Sequence, residues 1–469
     1  MSDNVSDSER TAAQLDKLRA LRDQRRRLTL LRSVTQRRPA FGVEPDGLPR
    51  VPVRLVNTLP SERGTVLDPV LVVPGEVLVP ADARGHAEQV LDDRRVLVRD
   101  GRARQVSPEG TTVLSVSRST DVRTVLRLLR SEGIAASANH VGALGGRSKA
   151  GSTPRRTELL LGRRPDVDIV DTPLVAVVDT GVDSAAMGGA LLDEDNRTDG
   201  WLDGVRTDTE LNDGIDLLDT VDYFGADGAD GFLDLGAGHG TFVGGLIRQA
   251  APSANVVMIR ALDTDGLGSE DVIAAAIDRA GALFADTDSV GVLNLSLGFE
   301  TIDEAEPTAV TAAIDALPDN VLVVAAAGNG PTGIRMWPAA LSDTRDHVLA
   351  VASLTRDGGS LMPSSWSNFG SWVSCSAIGE AVVSTFVAGT ETQGTGAEND
   401  PFDTDPDTFE GPDAYASWTG TSFSAAKVTG AVAAWLAQNQ AASVADAVAF
   451  VAGLADGVQM TNYGHVLDI

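Results

Sequence analysis

The sequence has almost no cysteine and no long apolar run, and each absence excludes a class of protein. Cys375 is the only cysteine among 469 residues, so an internal disulfide is excluded. No apolar stretch approaches the length of about twenty residues that a membrane span needs. The first ten residues lack a basic segment followed by an apolar one. We therefore expect a cytoplasmic protein without a membrane span, with one large domain and one smaller domain.

Positive charge is scarce in the C-terminal two thirds of the chain. Residues 1–164 contain 29 Lys and Arg against 19 Asp and Glu, a net charge of +10. Residues 165–469 contain 9 Lys and Arg against 47 Asp and Glu, a net charge of −38. Opposite charges speed and orient association, so we expect the two parts to dock on each other. The alternative is that the acidic part is a solubilising surface and the basic part binds another partner.

The sequence pattern divides the chain into four segments. Residues 1–40 predict a basic amphipathic helix, which we interpret as an assembly helix without a nucleic-acid partner because no base-reading motif accompanies it. Residues 41–141 predict a small α/β region with a helix over 120–132, and residues 142–164, rich in Gly, Ser, Pro and Arg, predict a linker. The strands expected in the α/β region are 70–73, 76–79, 95–98 and 112–116.

The fourth segment, residues 165–469, alternates apolar strands with helices. This alternation is typical of a parallel sheet covered on both faces, so we expect a three-layer α/β domain. Ligands bind such sheets at the carboxyl ends of the strands, and the motifs described next fall there. The strands expected in this segment are 174–178, 255–262, 290–296 and 321–327.

Three motifs supply the residue types of nucleophilic catalysis. Asp179 ends an apolar strand, His239 lies in Gly-His-Gly-Thr, and Ser422 lies in Gly-Thr-Ser-Phe-Ser at the start of a predicted helix. A serine hydroxyl needs a base to take its proton, and an imidazole does this best when a carboxylate fixes its tautomer. Singly, each residue has an ordinary structural explanation, such as a helix cap. Together, in the order Asp, His, Ser, they predict a serine hydrolase.

On these motifs the chain resembles the subtilisin-like serine proteases over about residues 165–469. The resemblance implies a serine endopeptidase that needs no cofactor for catalysis. Asp179, His239 and Ser422 would form its catalytic triad. Asn329, in Ala-Ala-Ala-Gly-Asn-Gly, would donate a hydrogen bond to the oxyanion. The alternative is a catalytically silent binding protein whose N-terminal part stays docked in the groove.

The resemblance also implies how a polypeptide substrate is held, because proteases of this type bind the peptide as an added β-strand. Met336 would lie near the floor of the first specificity pocket, make it shallow and exclude aromatic side chains. A prodomain usually precedes the catalytic domain in this family. We therefore expect the N-terminal region to be an intramolecular inhibitor, with self-cleavage inside residues 142–164. The other implied substrate contacts are Gly266, Leu267, Gly268, Ser296, Leu297, Gly298, Ala327 and Gly328.

Two acidic segments interrupt the fourth segment. Residues 193–234 contain 14 carboxylates and residues 391–413 contain 8. Clustered carboxylates favour calcium, so a structural calcium ion is one hypothesis and a solvated loop is the other. No cluster of Cys and His could bind zinc. The glycine-rich residues 236–245 lack the Lys-Ser/Thr pair of a phosphate loop, so nothing predicts an organic cofactor.

Overall fold

The computed structural model describes two packed units, an N-terminal unit that ends at residue 144 and a C-terminal unit from residue 154 to 469. Within the described residues, no helix is both long enough and apolar enough to cross a membrane. The predicted N-terminal helix of residues 1–40 lies outside the described part of the chain. The described residues are 52–59, 69–96, 104–105, 110–144, 154–159, 161–167, 172–182, 199–208, 233–390, 407–411 and 413–469.

The N-terminal unit is an antiparallel sheet with two helices on one face. The helix predicted over residues 120–132 is confirmed as α2, and the Asp121 carboxylate caps it by accepting from Arg123 N at 3.1 Å. Val125 and Leu129 of this helix recur at helical spacing and are buried against the sheet. The elements are β1 (Arg54–Val56), β2 (Val70–Pro80), α1 (Arg84–Asp93), β3 (Arg104–Gln105), β4 (Thr111–Ser115), α2 (Val122–Ser131) and β5 (Ser137–Leu144).

One continuous strand, β2, replaces the two short strands predicted at residues 70–73 and 76–79. Gly75 adopts a positive φ of 80°, and the register against β5 shifts between Val72 and Val77. A glycine in this conformation lets a strand continue through a bulge, which is why the two predicted strands join.

Within its described residues, the C-terminal unit contains a long, largely parallel sheet and five α-helices. The helices are α3 (His239–Ala250), α4 (Glu270–Ala285), α5 (Thr308–Asp315), α6 (Thr421–Leu436) and α7 (Val444–Leu454). The strands are β6 (Arg155–Arg156), β7 (Leu174–Asp179), β8 (Arg206–Asp208), β9 (Asn255–Arg260), β10 (Leu267–Ser269), β11 (Gly291–Leu295), β12 (Leu297–Gly298), β13 (Val321–Ala326), β14 (Val348–Asp357), β15 (Ser360–Pro363), β16 (Cys375–Ile378), β17 (Val382–Thr385), β18 (Gly389–Thr390), β19 (Thr408–Phe409), β20 (Tyr415–Trp418), β21 (Gln459–Met460) and β22 (Gly464–Leu467).

The main sheet is covered on both faces, as the sequence predicts. Its strand order is β21-β22-β16-β14-β13-β11-β7-β9-β8, with β15 also paired to β14. Along β7, Val175 and Val177 join the apolar cluster of α3 and α6, whereas Ala176 and Val178 join that of α4 and α5. Because successive side chains of a strand point to opposite faces, this division places one helical layer on each side. The three-layer α/β fold is confirmed.

Strand β5 joins the two units. Its first half pairs with β2, and its second half lies between β10 and β12 of the C-terminal unit. It continues to Leu144, into the first three residues of the linker that the sequence predicts over residues 142–164. The N-terminal sheet therefore extends directly onto the edge strands of the C-terminal unit.

Candidate active site

A buried carboxylate and a buried histidine meet at the carboxyl end of β7. Asp179 is the last residue of the strand, and His239 is the first residue of α3. The Asp179 Oδ1 atom lies 2.8 Å from Nδ1 of His239. Thr180 N also donates to Oδ1, at 2.7 Å, which fixes the carboxylate. Since Nδ1 is the nitrogen that faces the carboxylate, Nε2 is the nitrogen left for proton transfer.

Glycines on both sides of His239 allow this close packing. A side chain at Gly238 would overlap the Phe386 ring, and one at Gly240 would overlap the carbonyl oxygen of Gly181. Gly238 also has a positive φ of 77°. The Gly-His-Gly sequence is therefore what lets α3 begin directly against β7 and bring the imidazole to Asp179.

Ser422 lies in the first turn of α6, beside His239. The ring of its neighbour Phe423 has its centroid 5.4 Å from that of the His239 ring. In the described structure the Ser422 Oγ atom donates to the Ser296 carbonyl at 3.0 Å, and not to His239. The helix N-terminus places positive potential next to this hydroxyl.

A polar network behind Ser422 has no counterpart in the sequence analysis. The Ser296 hydroxyl lies 2.9 Å from the Ser422 carbonyl and 2.9 Å from Oδ1 of Asn294. Asn294 Nδ2 in turn donates to the Thr429 hydroxyl at 2.9 Å. These bonds fasten α6 to β11 at two points along the helix. No local signal could reveal the two bonds that reach α6, because their partners are more than a hundred residues apart in sequence.

Asn329 lies against the start of α6 and is hydrogen-bonded to it through its amide oxygen. Its Oδ1 atom accepts from Thr421 N and from the Thr421 hydroxyl, both at 2.9 Å. The Nδ2 atom lies on the Gly420 side, 3.5 Å from where a β-carbon of Gly420 would be. Both polar atoms of the Asn329 amide therefore lie at the start of the helix that bears Ser422.

The predicted substrate-binding residues fall into two groups around β5. Gly266 to Gly268 and Ser296 to Gly298 lie on its two sides, in or next to β10 and β12. Ala327 and Gly328 follow β13, and the Ala327 carbonyl accepts from Asn368 Nδ2 at 2.9 Å.

Met336 lies between two of these segments. A β-carbon built on Gly298 would be 2.7 Å from its Cγ atom, and one built on Gly328 would be 2.9 Å from its Cε atom. Only 2% of Met336 is exposed. Hydrogen bonds of 2.9 Å in both directions between Phe299 and Trp337 fix the segment in place. The side chain therefore fills the space between Gly298 and Gly328.

Other reactive groups in the described residues are not arranged for chemistry. Burial raises the pKa of the Cys375 thiol to about 12, so it stays protonated and is a poor nucleophile. No group of three or more His, Cys, Asp or Glu among the described residues is placed to hold a metal ion. Most of residues 193–234 and 391–413 lies outside the described part, so the calcium hypothesis stays a prediction.

The protein is thus an α/β protein in which a buried Asp–His pair lies beside the helix start that bears a serine. The family described as Peptidase_S8, the subtilase family, matches residues 171–463. The chain belongs to the subtilase family.

Individual relatives cover the same region. An "Extracellular protease" of Xanthomonas campestris pv. campestris is 29% identical over 286 residues, which are 55% of this chain and 43% of that protein. A "Thermophilic serine proteinase" of Bacillus sp. (strain AK1) is 31% identical over 221 residues, 45% of each chain. The match thus spans less than half of either relative. The crystal structure of fervidolysin from Fervidobacterium pennivorans, described as a keratinolytic enzyme related to subtilisin, shares the fold with a TM-score of 0.56. It is 20% identical and covers 85% of this chain and 60% of that chain.

The expectation of a cytoplasmic protein is wrong on this comparison, because a matching relative is named as an extracellular protease, which points to export. The expectation relied on the lack of disulfides and of a recognisable leader. Neither observation decides the compartment. A domain with a large apolar core can be stable outside the cell without a disulfide.

Proposed function

We propose that the protein is a serine endopeptidase with Ser422 as nucleophile, His239 as general base and then general acid, and Asp179 as the orienting carboxylate. The observation that carries the proposal is the buried 2.8 Å contact between Asp179 and His239 beside the helix start that bears Ser422. Names of subtilase relatives, which include serine proteinases, support the same activity. Export of the protein is part of the proposal, since one relative is extracellular.

The first step transfers the Ser422 proton to Nε2 of His239 while Oγ attacks the peptide carbonyl carbon. For this, Oγ exchanges its hydrogen bond with the Ser296 carbonyl for one with the imidazole. Asp179 then faces an imidazolium cation. Its second oxygen, Oδ2, is buried without a hydrogen-bond partner among the described residues, so the cation compensates a carboxylate that is otherwise poorly solvated.

The tetrahedral intermediate carries negative charge on the former carbonyl oxygen. Nδ2 of Asn329 and the backbone N–H of Ser422, at the start of α6, supply donors for that oxyanion. Collapse of the intermediate breaks the C–N bond, and the imidazolium gives its proton to the leaving amine. Water, activated by His239, then hydrolyses the acyl-serine ester and restores the hydroxyl. All these steps use side chains, backbone N–H groups and water.

We also propose that the N-terminal unit inhibits the enzyme in the same chain. Strand β5 pairs with Leu267 to Ser269 on one side and with Leu297 and Gly298 on the other, which are the segments expected to hold a substrate. A peptide substrate and β5 cannot occupy this place together. Side-chain contacts add to the backbone pairing: Asn139 Nδ2 donates to Asp271 Oδ1 at 3.0 Å, and Arg130 pairs with Asp303.

A second candidate function is a catalytically silent peptide-binding protein. Two observations favour it: the Ser422 hydroxyl is bonded to Ser296 instead of His239, and β5 occupies the groove. In that case the groove would serve only to hold a strand.

Labelling with a fluorophosphonate probe distinguishes the two functions. We expect wild type to be labelled, Ser422→Ala to be unlabelled, and Ser424→Ala to be labelled like wild type. Ser424 is the matched control because it is a buried serine of the same helix that donates to the Ala377 carbonyl, at 3.0 Å, away from the pair. Absence of labelling in every processed and unprocessed form would favour the silent binding protein.

A further inference from the structure

The position of Gly142 in β5 has no room for a side chain. A β-carbon there would lie 2.7 Å from Ile273 Cδ1 and 3.2 Å from Phe299 Cδ1. Both side chains are buried, and both would have to shift to admit more than a small side chain. Gly142 pairs with Gly268 in the edge strand β10. At this point the groove accepts a glycine and disfavours large side chains.

The register of β5 shows how many residues separate the Gly142 position from the reacting serine. Leu144 pairs with Leu297, and Ala143 pairs with Gly298. The residue before Leu297 is Ser296, whose carbonyl accepts from Ser422 Oγ. One further step of the same antiparallel register puts a peptide residue opposite Ser296, with its carbonyl nearest the nucleophile. We number the residues of a bound peptide backwards from the bond to be cut. The residue opposite Ser296 is then in the first position, a residue in the place of Leu144 in the second, and a residue in the place of Gly142 in the fourth.

The second position is open, in contrast to the fourth. A β-carbon on Gly266 would lie 2.6 Å from Leu144 Cγ, so the leucine side chain occupies the space that a side chain at Gly266 would take. Leu144 also packs against the apolar cluster that contains α4 and α5. A glycine in the groove wall thus makes a place for an aliphatic side chain on the bound strand.

The first position is restricted by Met336. This side chain fills the space between Gly298 and Gly328, the two wall segments nearest Ser422. Its neighbours hold it in place, since Phe299 and Trp337 bond to each other on either side of it. Only a small side chain fits opposite Ser296 without displacing the methionine.

We infer that the groove selects polypeptides with glycine in the fourth position, an aliphatic residue in the second and a small residue in the first. Ile273 and Phe299 determine the fourth position, Gly266 the second and Met336 the first. The segment Gly142-Ala143-Leu144 of the chain itself occupies the fourth to second positions and has the residue types that we infer for a substrate there. This inference rests on the proposed endopeptidase function and names its substrate class.

Three peptide coumarylamides test the selectivity, each at active-site concentrations fixed by fluorophosphonate titration. They carry the acyl sequences Gly-Ala-Leu-Gly, Phe-Ala-Leu-Gly and Gly-Ala-Leu-Phe. We expect phenylalanine in the fourth or the first position to lower kcat/KM at least about ten-fold, since a misfit of a few carbon atoms in a closed pocket has effects of this size.

Variants assign each restriction to its residue. Ile273→Ala should restore cleavage of the peptide with phenylalanine in the fourth position only, and Met336→Gly that of the peptide with phenylalanine in the first position only. Ile277→Ala, at a buried isoleucine one turn further along α4, is the control for general loosening and should restore neither. If the enzyme is labelled but cleaves all three peptides equally, the inferred selectivity is wrong and the proposed function is unaffected. A protein that is neither labelled nor active overturns the selectivity together with the proposed function.

Discussion

The interface histidine His140 offers a sharp test of inhibition by the N-terminal unit. It lies in β5 with 1% of its surface exposed, and its Nδ1 is 2.9 Å from Oε2 of Glu270, which is fully buried. Its Nε2 accepts from Ile302 N at 3.2 Å, so Nδ1 is the donor to the carboxylate. Both bonds connect the N-terminal unit to the C-terminal unit. The perturbation we choose is His140→Leu, which keeps most of the volume and removes both bonds.

The size of the effect follows from these contacts. A hydrogen bond to a charged group is worth about 1.5–3 kcal/mol, and a buried N–H left unsatisfied costs about 1–3 kcal/mol. Glu270 keeps one hydrogen-bond partner in the variant, because its Oε1 accepts from Ala309 N at 2.8 Å. We therefore take values near the lower ends of both energy ranges. The sum of about 2.5–3 kcal/mol weakens docking roughly 10²-fold, at about 1.4 kcal/mol for each factor of ten.

The assay is the initial rate of fluorophosphonate labelling of the intact, full-length chain. The probe is a fluorophosphonate that carries the peptide arm Gly-Ala-Leu. Because this arm enters the groove only when β5 leaves it, we expect His140→Leu to be labelled about 10²-fold faster than wild type. His86→Leu is the matched control, since His86 is an exposed histidine of α1. Circular dichroism checks that both variants are folded. Equal labelling rates of folded His140→Leu and His86→Leu would refute the inhibitory role of β5.

Two further predictions concern catalysis and maturation. Asn329→Ala should lower kcat about 10²–10³-fold with a small change in KM, because its Nδ2 acts on the oxyanion; a loss confined to KM would contradict that role. Wild type should cut itself within residues 142–164, and the register of β5, which pairs Leu144 with Leu297, predicts the bond that follows Gly145. Mass spectrometry of wild type and Ser422→Ala measures this, and the same cut in both would mean that another protease makes it.

The elements around the candidate triad were predictable because their causes are local. Asp179 ends a run of apolar β-formers, and that run is a strand of the buried sheet. His239 directly follows Gly238, Ser422 follows the pair Gly420-Thr421, and each lies in the first turn of a helix with an apolar face. Periodicity and glycine placement are read over a few residues, so the sequence alone indicates where these side chains stand.

Strand β5 shows where such reasoning stops. Its sequence, Ser-Ala-Asn-His-Val-Gly-Ala-Leu, contains one β-branched residue and a glycine, and the glycine-rich stretch after it predicts a linker. It is a strand because β2, β10 and β12 supply hydrogen-bond partners on both sides. Those partners come from three distant parts of the chain. The same holds for the His140–Glu270 contact and for the network of Asn294, Ser296 and Thr429, which depend on tertiary structure.

The shortness of β10 and β12 matters once the N-terminal unit is removed. Without β5, β10 and β12 of the C-terminal unit would become exposed edge strands. Exposed edge strands can pair with strands of other molecules and so cause aggregation. β10 has three residues and β12 has two, so each edge offers too few backbone groups to template a growing intermolecular sheet. A single extended peptide still satisfies both edges together, because it can lie between them as β5 does. The groove can thus bind one peptide strand at a time without promoting the growth of an intermolecular sheet.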